Sequence, residues 1–282
     1  MNTTPFNEKN SDLACERRRA DTRMPGIEFR REYTGGFVWE RLRIASEEAE
    51  KSIGRPKGNY DTLSLNRMDT LDEEEIEDAA NEVAKELCYA LDRLNISPDR
   101  ILVVGLGNPN LTPDSVGPRT AGLVNATMHI KKHDADYFEN LECSEIAVCT
   151  PGVMAQSGME AADIILGLCN RIKPDAVIAV DSLAAGSHKR LGSTIQISDT
   201  GIFPGSGIGN HRAPLDEKAL GRPVIAIGVP TVINASNLFE GECTNGLPMI
   251  SDMFVSPREI DGITEASAKI ISQGINQAFG IF

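Results

Sequence analysis

Between residues 70 and 94 the apolar side chains recur at helical spacing, with Ile76, Ala79, Ala80, Val83, Leu87, Ala90, Leu91 and Leu94 on one stripe and acids opposite. This pattern predicts a helix from Thr70 to Leu94, opened by a capping box at Thr70-x-x-Glu73 and ended by Asn95 and Pro98. Upstream, residues 27–33 and 37–42 alternate apolar and polar on either side of Gly35-Gly36, which predicts a hairpin. From residue 100 the texture changes to short β-branched runs separated by helical patterns. Strands are expected at 101–105, 145–149, 176–180 and 224–228, with a half-exposed strand at 194–198. Helices are expected from Pro118 to Met128, from Ser157 onward behind Ser157-x-x-Glu160, and from Ser256 to Phe279. The alternation predicts an α/β fold of three layers: a mostly parallel twisted sheet with helices on both faces, and residues 17–69 packed on it as a hairpin-containing extension.

Composition narrows the function classes. The 282 residues are enough for one large core, and 28 Lys plus Arg against 41 Asp plus Glu leave a formal charge of −13. A surface of that sign repels a phosphate backbone, so no nucleic-acid partner is expected. Apolar runs are strand-sized, far below the roughly 20 residues of a membrane span, so no membrane partner is expected either. The N-terminal stretch has no signal-peptide pattern, which points to the cytoplasm. Six scattered cysteines show no C-x-x-C pair and read as reduced thiols. His129 and His133 can share a helix face but lack a third ligand nearby, so neither a metal nor another cofactor is expected. Gly105-x-Gly107-x-x-Asn110 lacks the third glycine of a dinucleotide site, no P-loop ending occurs, and no G-x-S-x-G elbow marks a serine hydrolase.

Open parallel sheets bind ligands at the carboxyl ends of their strands. That rule selects the loops at 105–114 and 150–154, the position of Asp181 after residues 176–180, and the loop after Gly228. Asp114 and Asp181 are the acids that strand topology allows to meet. Two carboxyls brought together share one proton and can orient and deprotonate water against an amide carbonyl. Each also has a plainer use: Asp114 as a cap for the helix at Pro118, Asp181 as a turn acid bonded to backbone. The stretch 201–210 offers backbone N–H groups, at Gly205 and Gly207 among others, to an oxyanion or an extended peptide, although its composition favours a wide turn.

Several blocks resemble a known family. Residues 103–108 (Val-Val-Gly-Leu-Gly-Asn), Thr112-Pro113-Asp114, Gly117-Pro118, Pro151-Gly152-Val153-Met154 and Ala179-Val180-Asp181-Ser182-Leu183-Ala184-Ala185 are similar to the spore germination proteases. Thr194 to Gly201, Pro204 to Gly207, Pro223 to Val232 and Met253 to Asp261 extend the likeness in the same order. The resemblance implies an endopeptidase that degrades small acid-soluble spore proteins in the spore core, with a fold like that of hydrogenase-maturation peptidases. It places the family's catalytic pair on Asp114 and Asp181. It also implies a zymogen that assembles as a tetramer, with a propeptide of residues 1–16 and one peptidase domain over 17–282. Ser11-Asp12-Leu13-Ala14-Cys15-Glu16 looks like the self-cleavage site, with cleavage between Glu16 and Arg17. A glutamate before the scissile bond calls for a cation in the cleft, and Arg190 and Arg212 are the candidates. The chain departs from the family where Gly186 replaces a common arginine and where the stretch between Ala235 and Met253 is short. The alternative kept open is a catalytically inactive peptide- or metal-binding protein on the same scaffold.

Overall fold

The computed structural model describes residues 11–17, 25–205, 212–238 and 253–281. Along the chain run α1 (Ala14–Arg17), β1 (Ile27–Thr34), β2 (Phe37–Ile44), α2 (Glu47–Ile53), β3 (Gly58–Ser64), α3 (Glu73–Arg93) and β4 (Arg100–Gly105). Then follow α4 (Val116–Leu123), α5 (Met128–His133), α6 (Ala135–Glu139), β5 (Glu145–Cys149), α7 (Met154–Ser157), α8 (Ala161–Ile172) and β6 (Ala176–Ala185). The chain closes with β7 (Thr194–Ser198), α9 (Glu217–Leu220), β8 (Val224–Asn234), β9 (Phe254–Val255) and α10 (Ile260–Ala278).

The nine strands of the described residues form one sheet in the order β1-β2-β3-β7-β8-β6-β4-β5, with β9 on β8. The centre, β8-β6-β4-β5, is parallel as the alternating pattern requires. The N-terminal extension is not merely laid over this centre. Its hairpin and β3 continue the same sheet antiparallel through β7. One face is covered by α3, α4 and α10, with Val83, Leu87, Ile270 and Ile271 packed on Ile101, Val103, Ile178 and Val180. The other is covered by α8 and α9, with Ile165, Cys169 and Leu220 against Leu102, Val104, Val177 and Ala179. Residues of β4 and β6 alternate between the two cores, which is why both strands read as continuous apolar runs.

Several expected boundaries move, each for a local reason. The capping box of α3 is Asp72 with Glu75, whose side chains each accept the other's backbone N–H at 2.9 and 3.0 Å. Thr70 ends a 3-10 turn instead, its hydroxyl bonded to Arg67 O. The helix after Pro118 breaks at Val124 and restarts at Met128, and α8 begins at Ala161 after the separate turn α7. Ser157 closes α7 rather than opening α8. The final helix starts at Ile260. Strands β6 and β8 run on past Val180 and Gly228, because they pair with each other through Ala185 and Ile233.

Beneath the hairpin, Arg41 and Arg93 meet Glu86 and Asp61, all but Arg93 largely out of solvent. Burial, reinforced by the charge of Asp61, pushes the Glu86 carboxyl up to about 7. Its folded value lies above its unfolded one. The associated stability is therefore full below about 4.5, the free glutamate value, and lost as pH rises through 7. The expected result is that Glu86→Gln flattens the fall in melting temperature between those two pH values, measured by thermal denaturation across the range; an unchanged slope would show that this carboxyl does not titrate there.

Candidate active site

Three glycines shape the end of β4. A Cβ on Gly105 would sit 2.2 Å from Gly117 O, and one on Gly117 would sit 2.2 Å from Leu106 O and 2.4 Å from Val180 O. Gly107, at φ 111°, would place a Cβ 2.1 Å from Asp114 O. Side chains at these positions would force the loop, the start of α4 and β6 apart. With hydrogen there, Leu106 N–H donates to Val180 O at 2.8 Å and ties the loop to the neighbouring strand. The 3-10 turn Thr112–Asp114 then folds back, and Asn108 N–H donates to both Asp114 O at 3.0 Å and Asp114 Oδ2 at 2.8 Å. From the far side, the hydroxyl of Thr231 on β8 donates to Pro113 O at 2.6 Å. Asp114 is thus not the helix cap; its carboxylate bonds Asn108, and Ser115 holds the cap position.

Asp181 lies within β6 rather than in a loop after it, 5 % exposed, with Gly228 of β8 as its register partner. It alternates with Val177, Ala179 and Leu183 toward the α8 side of the sheet. Its Oδ1 accepts the N–H of Ser182 at 2.8 Å, so the backbone-bonded use foreseen for a turn acid is present here inside a strand. Burial, and after it the charge of Asp114, raises its carboxyl well above the usual range; the charge of Arg212 opposes this. Asp114 is raised as well, by burial, against the Asn108 bond and the charge of Arg212. The two acids and Arg212 therefore act on one another directly. Beside them, Gln156 Nε2–H donates to Asn108 Oδ1 at 3.0 Å, joining the 150–154 loop to the first.

The groove next to Asp181 is filled by the chain's own residues 11–17. Asp12 N–H donates to Ala184 O at 2.8 Å, and its Oδ2 accepts Ala184 N–H at 2.9 Å. Arg55 donates to Asp12 Oδ1 at 3.0 Å. Leu13 is fully buried, packed with Leu106, Leu183, Ile202 and Ala226. Ala14 N–H donates to Gln196 Oε1 at 2.8 Å, and Cys15, its thiol pushed up to about 12 by burial, lies by Thr62. Glu16 accepts the N–H groups of Gly186 and Ser187, and Arg17 Nε–H donates to Ser11 O. The space left beside the segment, lined by Asp12, Arg55, Leu183 and Gly228 among others, is about 30 Å³, room for about one water.

Of the remaining candidates, Arg190 is paired with Glu40 at 2.5 Å and lies in the field of Glu16. Gly205 is in a turn at φ 73°. Gly207 lies outside the described residues. His129 and His133 share α5, and among the described residues no three His, Cys, Asp or Glu form a metal-binding group. Among the described residues no helix is long and apolar enough to cross a membrane. Sequence reasoning missed Arg55 and Ser187, saw Gly186 only as a departure from the family, and selected the loop after Gly228 without the glycine itself. Gly228 had a signal, a lone glycine inside a buried strand; Arg55 and Ser187 had none.

A family model described as germination protease matches residues 7–244. A germination protease of Clostridium acetobutylicum is 37% identical over 270 residues, covering 83% of this chain and 82% of that one. One from Caldanaerobacter subterraneus is 36% identical over 306 residues, covering 95% and 93%. One from Oceanobacillus iheyensis is 45% identical over 216 residues, covering 76% and 58%. Among solved structures, the [NiFe] hydrogenase maturation protease HycI of Thermococcus kodakarensis aligns at a TM-score of 0.38 and 19% identity, over 68% of this chain and 99% of that one.

Because the folded pKa of Asp181 lies above its unfolded value, its contribution to stability is present in acid and is lost as pH rises through the folded value. Asp181→Asn, which cannot ionise, is expected to raise the melting temperature at neutral pH and to have little effect near pH 3. Equal effects at both pH values would mean that the carboxyl is not perturbed. Asp114→Asn should likewise lower the pKa of Asp181, read from its carboxyl carbon by NMR titration.

Proposed function

The chain belongs to the germination protease family, and from that premise we propose that it is an aspartate-dependent endopeptidase, made as a zymogen, that hydrolyses small acid-soluble proteins in the spore core. The observation that carries the reading is the buried Asp181 carboxyl, raised by burial and by the charge of Asp114 beside it. A pair of this kind holds one proton between two groups. Burial is greater at Asp181, so the proton resides mainly there, and Asp114, bonded to Asn108, is the readier base.

In the reaction, a water placed between the carboxyls loses a proton to Asp114 as its oxygen attacks the peptide carbonyl. Asp181 donates its proton to the carbonyl oxygen. Collapse of the tetrahedral intermediate breaks the C–N bond as the proton on Asp114 passes to the leaving amine, and one hydroxyl proton of the gem-diol returns to Asp181, restoring the pair's single proton. Backbone N–H groups of the surrounding loops, Gly205 among them, orient the carbonyl oxygen toward Asp181 and steady the extended peptide. Arg212, whose charge reaches both acids, limits how far their pKa values climb and attracts an acidic substrate.

Residues 1–16 are the propeptide, and 17–282 the peptidase domain with 17–69 as its extension; family resemblance extends this to a tetramer. The zymogen reading is supported by the placement of residues 11–17 in the groove beside Asp181. The Glu16–Arg17 bond sits in the helical turn α1, whereas peptides bound along a sheet edge are extended. Self-cleavage thus requires that turn to unwind.

Two outcomes are expected. Asp114→Asn and Asp181→Asn, each folded by circular dichroism, should lose at least about a hundredfold in cleavage of a purified small acid-soluble spore protein, the scale of a lost general acid or base; near-normal turnover by either removes the mechanism. Edman sequencing of the acid-incubated wild-type chain should find a new N-terminus at Arg17, and any other new terminus rejects the proposed cleavage point.

A further inference from the structure

Beyond the aspartate pair, the groove holds a set of polar contacts that the hydrolytic steps do not use. β4 ends where Gly105 pairs with Val180, so the same edge of β6 farther on has no strand of the sheet beside it. Residues 11–16 take that place. Asp12 exchanges bonds with Ala184 through its backbone N–H and its carboxylate. Farther along the edge, Glu16 Oε2 accepts Gly186 N–H at 2.6 Å and the Ser11 hydroxyl at 2.5 Å, while Oε1 accepts Ser187 N–H at 2.9 Å. Each carboxylate oxygen thus faces its own backbone donor. Gly186 makes the approach possible, since an added Cβ would lie 3.0 Å from Glu16 Oε2 and 3.2 Å from Ser11 Cβ.

We propose that the Ser182–Ser187 edge is the peptide-docking strand of the enzyme, and that the N–H pair of Gly186 and Ser187 is the subsite for a glutamate side chain of the substrate, filled in the uncleaved chain by Glu16. The inference rests on the peptidase reading and names how its acidic substrate is held. Arg190 stands behind the subsite as a source of positive field, but its guanidinium is bound to Glu40. Selection is therefore by aimed backbone dipoles rather than by a free cation. Glutamine is rejected because its amide offers one acceptor oxygen and turns two donors of its own toward the second N–H. Aspartate is one methylene too short to reach both groups.

The test uses the full chain carrying Leu13→Asp and Glu16→Gln, which drive the segment out of the groove, and Asp181→Asn, which separates binding from turnover. The probe is a fluorescein-labelled Ser-Asp-Leu-Ala-Ser-Glu-Arg peptide, with a twin bearing Gln for Glu, read by anisotropy. The Glu peptide is expected to bind at least tenfold tighter than its twin. All three atoms nearest the added Cβ belong to residues 11 and 16, so Gly186→Ala should leave melting unchanged and weaken the Glu peptide about tenfold. Equal binding of the two peptides, binding of neither, or no effect of Gly186→Ala overturns the subsite. As a check free of the displaced segment, Glu16→Gln alone should speed hydrogen exchange at the Gly186 and Ser187 amides at least tenfold; unchanged exchange also counts against it. The readout is binding in a chain that does not cleave, so preference for the Glu peptide here, together with near-normal turnover by Asp114→Asn or Asp181→Asn in the cleavage assay, would sink the aspartate mechanism and leave the subsite standing.

Discussion

The arrangement depends on one electrostatic constraint: an ionisable carboxyl at Asp181 inside a buried strand, with a second carboxyl at Asp114 next to it. Removing a carboxylate from water is costly, and a like charge nearby adds to the cost, so both carboxyls of the pair are pushed toward their protonated form. What surrounds it limits the penalty without cancelling it. The Ser182 amide bonds one oxygen of Asp181, the Asn108 amide bonds one of Asp114, and the charge of Arg212 acts on both. A tight ion pair to either acid would fix it as a permanent anion and remove the proton that acid–base work requires. None of the described ion pairs involves Asp114 or Asp181.

Bringing Asp114 to that point is a backbone problem, solved by omitting side chains. Gly105, Gly107 and Gly117 let three segments approach to distances at which a Cβ would overlap carbonyl oxygens. On the opposite side, Gly228 leaves room for Leu183, whose side chain would lie 2.4 Å from an added Cβ. The acids are thus held by rigid elements, β6 on one side and a turn tied to β4 and β8 on the other. Such support holds the two carboxyls in a fixed geometry, as the proposed proton transfer would require.

The parallel centre, the hairpin and the two amphipathic helices were legible because each follows from a periodicity that burial enforces directly. The continuation of β6 through Asp181 was not. Its length is set by β8 alongside it, a partner almost fifty residues away, and no local pattern marks a strand that has a carboxyl in its middle. The capping box of α3 was misplaced by two residues because Thr70, Asp72, Glu73 and Glu75 offer two overlapping solutions, and the 3-10 turn at Met68–Thr70 selects the second. At the site, topology singled out the two acids, while family likeness supplied their role. Arg55 and Ser187 were invisible, and Gly186 showed only as a departure from the family, since what they bind is another part of the chain, 43 residues off in the case of Arg55 and 170 in that of Gly186.

That last group bears on how a strongly acidic protein holds an acidic segment. With a formal charge of −13, the expectation was an arginine in the cleft, Arg190 or Arg212; the charge of Arg212 acts on the two aspartates, while Arg190, in the field of Glu16, is spent on Glu40, which also takes Arg31 at 2.7 Å. Backbone N–H groups serve instead, because they cost no side-chain entropy to order and cannot be neutralised by a neighbouring acid. They are also directional. A carboxylate at the right distance along the β6 edge satisfies both donors, and one displaced by a residue satisfies neither, so register on the edge and recognition of charge become the same event. The segment that fills the edge while the chain is whole must therefore match it in register, and it does so at both ends, Asp12 on Ala184 and Glu16 on Gly186 and Ser187, while Ala14 between them bonds Gln196 of β7.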